Sequence, residues 1–429
     1  MLRKTIYLLG QSFRNPSLKS KYAFLKSSEK WSLQELENYQ LKKLKELLEI
    51  AYHNSAFYKN KFDRLEIDIT KINTLNDLKL LPILTKEELI NFTSEIQTSI
   101  KFKNKILATT SGTSGQSLKF YREEAADSFN RAAIQRGYSW YGVQPWDRNG
   151  YFWGFNFSRF SRVKNIFFDT LQNRFRIFSY QESALKKFIH KARKATYIHG
   201  YSSMIFQVAV LINKLGLTKP THIKMIKGTS EKILDGYYDE IQKAFGTKII
   251  SEYGATESGI IAFECPQGNM HISMEGVIVE EVENEILVTN LQMTSFPIIR
   301  YKLGDYIALA SRNKTCSCGK KHLIIEEVTG RVGEKIYGKK EIYPSLYFYY
   351  IFKNLSKEDK IHLNYQVIQE SKGFLTFYIE QERNTVNEEK LIKEIKKYFN
   401  EDITFEIQYH SKLSDIKGKL KNFISYIHE

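Results

Sequence analysis

Apolar positions in the first part of the chain recur at helical spacing. Between 31 and 62, Leu36, Tyr39, Leu41, Leu44, Leu47, Leu48, Ala51 and Tyr52 are interleaved with Lys42, Lys43, Lys45 and Glu46, which predicts one amphipathic helix. Thr85-Lys86-Glu87-Glu88 has the form of a capping box and sets a further helix start at Thr85. A short apolar run at 106–109 leads into a Gly/Ser loop, and 123–141 reads as helix. Strands at 195–199, 223–226 and 248–251 then alternate with helices at 202–215 and 231–245, the rhythm of parallel α/β units. After Glu257 the texture changes. Segments 276–283 and 285–290, rich in β-branched residues and parted by a single Asn, predict a hairpin, and short strands continue through 297–329. Beyond Gly330-Arg331-Val332-Gly333 the pattern is β-rich (361–380), helix (387–399), strand (403–409), a Lys/Gly loop and a last strand. That predicts a small α+β unit of about 100 residues.

Length and composition agree with more than one domain. The chain has 429 residues, 42% of them hydrophobic and 14% aromatic, enough for a large core. No apolar run approaches the roughly 20 residues of a spanning helix. The N-terminus starts basic, but its apolar stretch is too short for a signal peptide, so a cytoplasmic location is expected. The formal charge is +16, and only +2 of it lies from Arg331 onward. A basic surface suits nucleotides, nucleic acid, anionic lipid or acidic sugars, or is simply a solvated lysine-rich face. No helix-turn-helix, zinc-finger or RNA-binding signature is present, which argues against nucleic acid. Three cysteines cannot form a closed disulfide set.

Three segments carry candidate chemistry. In Thr110-Ser111-Gly112-Thr113-Ser114-Gly115, backbone N–H groups of a Gly-rich turn and the hydroxyls of Ser111, Thr113 and Ser114 suit phosphate oxygens. It is not a Walker loop, because the Lys-Ser/Thr pair after the second Gly is missing. Glu252-Tyr253-Gly254-Ala255-Thr256-Glu257 follows a predicted strand, where α/β sheets hold ligands. Tyr253 can lie against a purine, and Glu257 can hold Mg²⁺. Gly228-Thr229-Ser230-Glu231 can edge the same base. In Tyr301-Lys302-Leu303-Gly304-Asp305, the carboxylate of Asp305 can accept from two ribose hydroxyls. Taken singly, the first and third segments also read as ordinary turns, and the second as a buried Tyr with a surface Glu.

In this order, the segments resemble the adenylate-forming (AMP-binding) superfamily, in its phenylacetate–CoA ligase and CapK branch. Trp31-Ser32 with Leu36, Gln40, Leu44, Leu48, Ala51-Tyr52 and Tyr58 resembles the N-terminal helix of CapK-type proteins. Gly200-Tyr201-Ser202-Ser203 resembles their mid-domain helix start, Gly330-Arg331 the superfamily hinge, and Gly418-Lys419 the catalytic-lysine segment. The resemblance implies an α/β fold with a large multi-sheet AMP-binding domain over 1–330, including a β-rich subdomain, and a mobile α+β lid over 331–429. It implies ATP and Mg²⁺, with phosphates on Ser111, Thr113 and Ser114, adenine on Ser230, Glu231 and Tyr253, Mg²⁺ on Glu257, and ribose on Asp305 and Arg331, while Gly112, Gly115, Glu252, Gly254 and Thr256 also belong to the nucleotide site. Lys419 would approach the α-phosphate and the carboxylate. Two departures stand out: Lys119 comes one position later than the usual loop lysine, and Gly333 replaces the usual hinge Asp, with Glu334 next.

Cys265 and His271 form C-x5-H, and Cys316 and Cys318 form C-x-C, four N/S ligands suited to a closed structural zinc site, with His322 as a competing fourth. Tyr138, Trp140, Tyr141, Trp153, Phe155 and Phe157 are candidates for an acyl pocket, or plain core. The resemblance implies a small-molecule carboxylate as substrate. The acceptor is the thiol of CoA, or an amine or hydroxyl of a surface-polysaccharide sugar, with peripheral association to membrane-bound polysaccharide machinery. AMP transfer to an acceptor and a catalytically inactive binding homologue remain the alternatives.

Overall fold

A computed structural model of the chain describes residues 2–110, 118–152, 159–177, 182–331, 335–399, 401–410, 413, 415–416 and 419–427. The N-terminal part is helical: α1 (Leu2–Arg14), α2 (Leu18–Ser28), α3 (Leu33–Asn54), α4 (Ala56–Arg64), then the short α5 (Lys86–Asn91) and α6 (Thr93–Ile96). Ser32 and Glu35 cap α3 reciprocally, and its stripe Leu36, Gln40, Leu44, Leu47, Leu48 and Ala51 is buried. The single helix expected over 31–62 is in fact two. Ser55 is extended (φ −118°, ψ 119°) and caps α4, while its hydroxyl donates to the Glu95 carbonyl at 2.9 Å. A capped start outcompetes continuation here.

An antiparallel hairpin, β1 (Lys105–Thr109) and β2 (Lys119–Glu123), leads into α7 (Glu124–Trp140). The α/β part follows as β3 (Asn149–Phe152), α8 (Arg159–Leu171), β4 (Arg174–Arg176), α9 (Glu182–Ala192), β5 (Tyr197–Tyr201), α10 (Ser202–Lys214), β6 (Met225–Thr229), α11 (Asp235–Phe245) and β7 (Ile249–Ala255). These five strands are parallel, in the order β4-β3-β5-β6-β7. Helix α10 begins directly after β5, which brings Gly200 (φ +137°) so close to β3 that an added Cβ would lie 2.1 Å from the Phe152 carbonyl oxygen.

Antiparallel strands extend the sheet: β8 (Gly259–Glu264), β9 (Met270–Ile272), β10 (Val277–Val282), β11 (Glu285–Asn290), β12 (Ile298–Leu309) and β13 (Ile324–Arg331). The order β10-β11-β12-β13-β9-β8-β7 joins them to the parallel strands, giving one sheet of 11 strands beside the separate β1–β2 sheet. The turn between β10 and β11 contains two residues, not one. Glu283 and Asn284 both have positive φ, the geometry that matches strand twist.

The C-terminal part comprises β14 (Lys335–Tyr337), β15 (Ile342–Pro344), α12 (Leu346–Asp359), β16 (Tyr365–Ser371), β17 (Phe374–Ile379), α13 (Thr385–Phe399), β18 (Thr404–Gln408), β19 (Asp415–Ile416), β20 (Lys419–Leu420) and β21 (Phe423–Ser425). A four-stranded sheet, β18-β17-β16-β21, carries its own core with α12 and α13, including Phe348, Leu355, Val367, Phe377, Ile395 and Phe399. Among the described residues, no helix is long and apolar enough to cross a membrane.

Candidate functional site

The carboxyl ends of β6 and β7 lie where the sheet changes from parallel to antiparallel. Two of the sequence-predicted segments meet here. The Tyr253 hydroxyl donates to Asp305 Oδ2 at 2.8 Å, and the Tyr301 hydroxyl donates to Glu257 Oε1 at 3.2 Å. β12 therefore delivers the third segment onto the second, across some fifty residues of chain. Asp305 also lies directly opposite Arg331 in the β12–β13 ladder, so the predicted ribose pair shares one rung. Gly254 is required by packing, since a Cβ would meet the Gly259 carbonyl at 2.5 Å.

Glu252 and Glu231 have structural partners. The Lys227 ammonium reaches Glu252 Oε2 at 2.6 Å, both side chains being buried, and the Thr229 hydroxyl donates to Oε1 at 3.2 Å. Glu231 Oε2 accepts from the Ser203 N–H at 3.0 Å, satisfying a free donor in the first turn of α10. Ser230 between them takes a left-handed conformation, φ +67°.

The phosphate loop, residues 111–117, lies outside the described residues. Its base does not: Thr110 N–H donates to the Leu118 carbonyl at 3.0 Å, and Leu118 N–H to the Thr110 hydroxyl at 2.9 Å. The hinge residues Gly333 and Glu334 and the aromatics Trp153, Phe155 and Phe157 also lie outside. Lys419 begins β20, its backbone paired with Ile416.

Of the other aromatic candidates, Tyr138 is buried beside a polar lane that crosses β3, β5 and β6. Its hydroxyl is 3.5 Å from His199 Nδ1, and His199 Nε2 is 3.3 Å from Asn149 Oδ1. Burial, with Arg174, Lys227 and Arg176 nearby, drives His199 well below the ordinary histidine range, so the ring is neutral. Asn149 Oδ1 also accepts from Arg174, whose guanidinium lies 4.3 Å from the Tyr151 ring centroid. This lane is not obvious from sequence. Its signal is a polar or aromatic-polar residue at every second position of buried parallel strands, as in Asn149-Gly150-Tyr151 and Tyr197-Ile198-His199. Trp140 and Tyr141 serve elsewhere. Trp140 donates to Glu29 and packs on Phe263 and His271, and the Tyr141 hydroxyl donates to the Glu264 carbonyl.

The four Cys/His residues converge. The ligand atoms of Cys265, His271, Cys316 and Cys318 all lie within 4.8 Å of one another. Two tight turns present them: Gly268 N–H donates to the Cys265 carbonyl, and Gly319 N–H to that of Cys316. Cys265 Sγ is 3.7 Å from Cys316 Sγ, and Cys318 Sγ is 3.2 Å from His271 Nε2. All three cysteines are free, and a disulfide would need about 2.05 Å. Tetrahedral zinc with bonds of about 2.3 Å to sulfur sets sulfurs about 3.8 Å apart, so the spacing fits. His271 Nδ1 donates to the His322 carbonyl at 3.2 Å, which leaves Nε2 facing the sulfurs. Burial pushes His271 down to about 4, so it is neutral and competent to ligate. Burial alone would raise the Cys316 thiol, but hydrogen bonds from the Cys318 backbone and neighbouring side chains bring it below its ordinary range. The competing ligand, His322, is committed elsewhere: its Nε2 lies 3.0 Å from Glu275 Oε1.

No family model matches the chain. Among solved structures, 2-hydroxyisobutyryl-CoA ligase in the postadenylation state, in complex with R3-HIB-AMP, superposes with a TM-score of 0.70 at 14% identity, over 92% of this chain and 91% of that one. The chain has the fold of that CoA ligase. The same ligase in an open conformation with 2-HIB-AMP and CoA gives 0.62, and in the thioesterification state 0.58, each at 92% coverage of this chain. In sequence, the chain is 23% identical to protein CapK of Staphylococcus aureus over 413 residues, 91% of this chain and 88% of that protein.

Proposed function

We propose that the protein is an ATP-dependent ligase that activates a carboxylic acid as an acyl-adenylate and passes the acyl group to an acceptor. The observation that carries this reading is the meeting of Tyr253 with Asp305 and of Tyr301 with Glu257 at the sheet's change of direction. Those groups suit a nucleotide in the way the motifs imply. Tyr253 lies against adenine, Asp305 and Arg331 hold the ribose hydroxyls, and the loop at 111–115 takes the phosphates. Glu257, buried and oxygen-bearing, fits Mg²⁺, which when bound offsets phosphate charge.

In the reaction, a carboxylate oxygen attacks the α-phosphorus and pyrophosphate leaves. Charge gathers on phosphoryl oxygens, so positioning and cationic stabilisation carry most of the catalysis, and Lys419 supplies the cation. Residues 331–429 form the lid that brings it in. That the neighbouring ligase is seen in postadenylation, open and thioesterification states supports a lid that takes more than one position. The polar lane of Lys227, His199 and Tyr138 floors the acyl side. Zinc in the Cys265, His271, Cys316 and Cys318 cluster is structural, since all four positions are protein ligands.

For the acceptor, the CoA-bound states of that ligase support the thiol of CoA, and the resemblance to CapK-type proteins implies a surface-polysaccharide sugar. Hydroxylamine trapping tests the intermediate: incubation with ATP and the right acid gives the hydroxamate. Lys419→Ala should lower its rate roughly 10²–10³-fold. Hydroxamate formed by Lys419→Ala at the wild-type rate would remove that lysine from the chemistry.

A further inference from the structure

Two neighbouring helices at the β4 edge of the main sheet are turned inside out. Helix α1 packs its polar and aromatic side inward. Tyr7 sits against Trp146 with ring centroids 6.0 Å apart, and Gln135 Nε2 reaches the Gln11 Oε1 at 3.2 Å. One turn apart on its outer side, Leu9 is 66% and Phe13 91% exposed. Helix α8 does the same. Its Asp169 is buried and grips Arg176 with two hydrogen bonds of 2.8 and 3.0 Å, while Val163 is 69% and Phe167 61% exposed, with Ile166 and Phe168 beside them. The two helices pack together, and Arg3 of α1 bonds Asn173 just past α8. Ordinary amphipathic surface helices point these stripes at the core. Outward apolar stripes on adjoining helices mark a binding surface.

Charge indicates what the surface meets. Residues 1–30 and 159–194 hold seventeen Lys/Arg and three Asp/Glu, a net +14 out of the chain's +16. Asp169 and Arg176 pair with each other, so they cancel and leave the excess of +14 unchanged. Exposed lysines lie on and around the patch, among them Lys19 after α1, Lys164 on α8, and Lys187 and Lys191 on α9 at the same sheet edge. Two copies of so basic a face repel each other. We propose that α1 and α8 seat the protein on an anionic lipid bilayer, the outward Leu9, Phe13, Val163 and Phe167 entering the headgroup boundary while the lysines meet acidic headgroups. This is the physics of an interfacial helix, not of a spanning one.

The test uses the full chain and vesicles of phosphatidylcholine, with and without phosphatidylglycerol, in a flotation assay. Binding to the phosphatidylglycerol vesicles is expected to be about 100-fold tighter, and to weaken in high salt. Leu9→Ser with Phe13→Ser, and separately Val163→Ser with Phe167→Ser, should each release the protein while leaving its thermal melt unchanged. Should an apolar variant fail to fold, Lys164→Glu with Lys187→Glu asks the same question from the charged side and should also release it. Equal or absent binding to both vesicle types would overturn the proposal. So would self-association in sedimentation velocity that these same substitutions abolish, which would give the surface to a second copy.

Discussion

Glu275 is fully buried, and three groups converge on its Oε1: Arg136 at 2.7 Å, His322 at 3.0 Å and the Ser28 hydroxyl. Burial alone would raise its carboxyl, but the Arg136 guanidinium and the contacts from His322 and Ser28 outweigh that and hold it well below the ordinary glutamate range. A depressed folded value adds stability at neutral pH, and that stability is lost as pH falls below about 4.3 towards the folded value. Glu275→Gln should therefore cost about 3–5 kcal/mol at neutral pH and flatten the acid limb of the stability curve, as urea titrations from pH 7 to pH 3 would read. An unchanged acid limb would remove Glu275 as its source. At this scale the sequence was legible where motifs impose residue types, as at Tyr253, Glu257 and Asp305. It was opaque where the partner is set by register. Lys227 and Glu252 are 25 positions apart, and nothing local says that a lysine in an apolar strand will spend its charge on a glutamate in the next one. The density of aromatics near Trp140 announced burial, but not that the ring would lie beside the Cys/His cluster.

Elements were readable wherever one face is buried and the other wet. The α/β rhythm from β5 to β7 and the helix α13 follow from that periodicity, with bounds shifted by a few residues. Helix α12 was missed because Leu346-Tyr347-Phe348-Tyr349-Tyr350-Ile351-Phe352 shows no polar alternation. Helix α1 is amphipathic in sequence, but its apolar residues Leu9 and Phe13 face away from the protein, an orientation that periodicity alone does not fix. The break at Ser55 depends on a distant acceptor, the Glu95 carbonyl, that no local rule supplies. The direct passage from β5 into α10 yields a sharp expectation. At Gly200, positive φ combines with a backbone oxygen 2.1 Å from any Cβ. Gly200→Ala should destabilise by about 3 kcal/mol or more, seen as a large fall in Tm or loss of soluble protein. A melt within a degree or two of wild type would mean that β3 and β5 can part without cost.

For the whole molecule, the 11-stranded sheet ties the antiparallel strands to the α/β strands, and the Cys/His cluster pins two turns at the β8–β9 and β12–β13 connections. Purified protein should carry stoichiometric zinc by elemental analysis. Chelation, or Cys316→Ser, should lower Tm by several degrees, since a structural zinc contributes directly to folding energy. Metal-free protein with an unshifted melt would leave the cluster as reduced thiols. The central claim concerns chemistry at the other end of the sheet, and acid-dependent exchange of labelled pyrophosphate into ATP tests it most directly, across aryl acids, fatty acids and amino acids. Exchange with one acid class, abolished in Glu257→Gln, is the expected result and leaves the acceptor to be found. Nucleotide binding with no exchange for any acid would contradict acyl-adenylate formation and move the protein to AMP transfer or to binding without turnover.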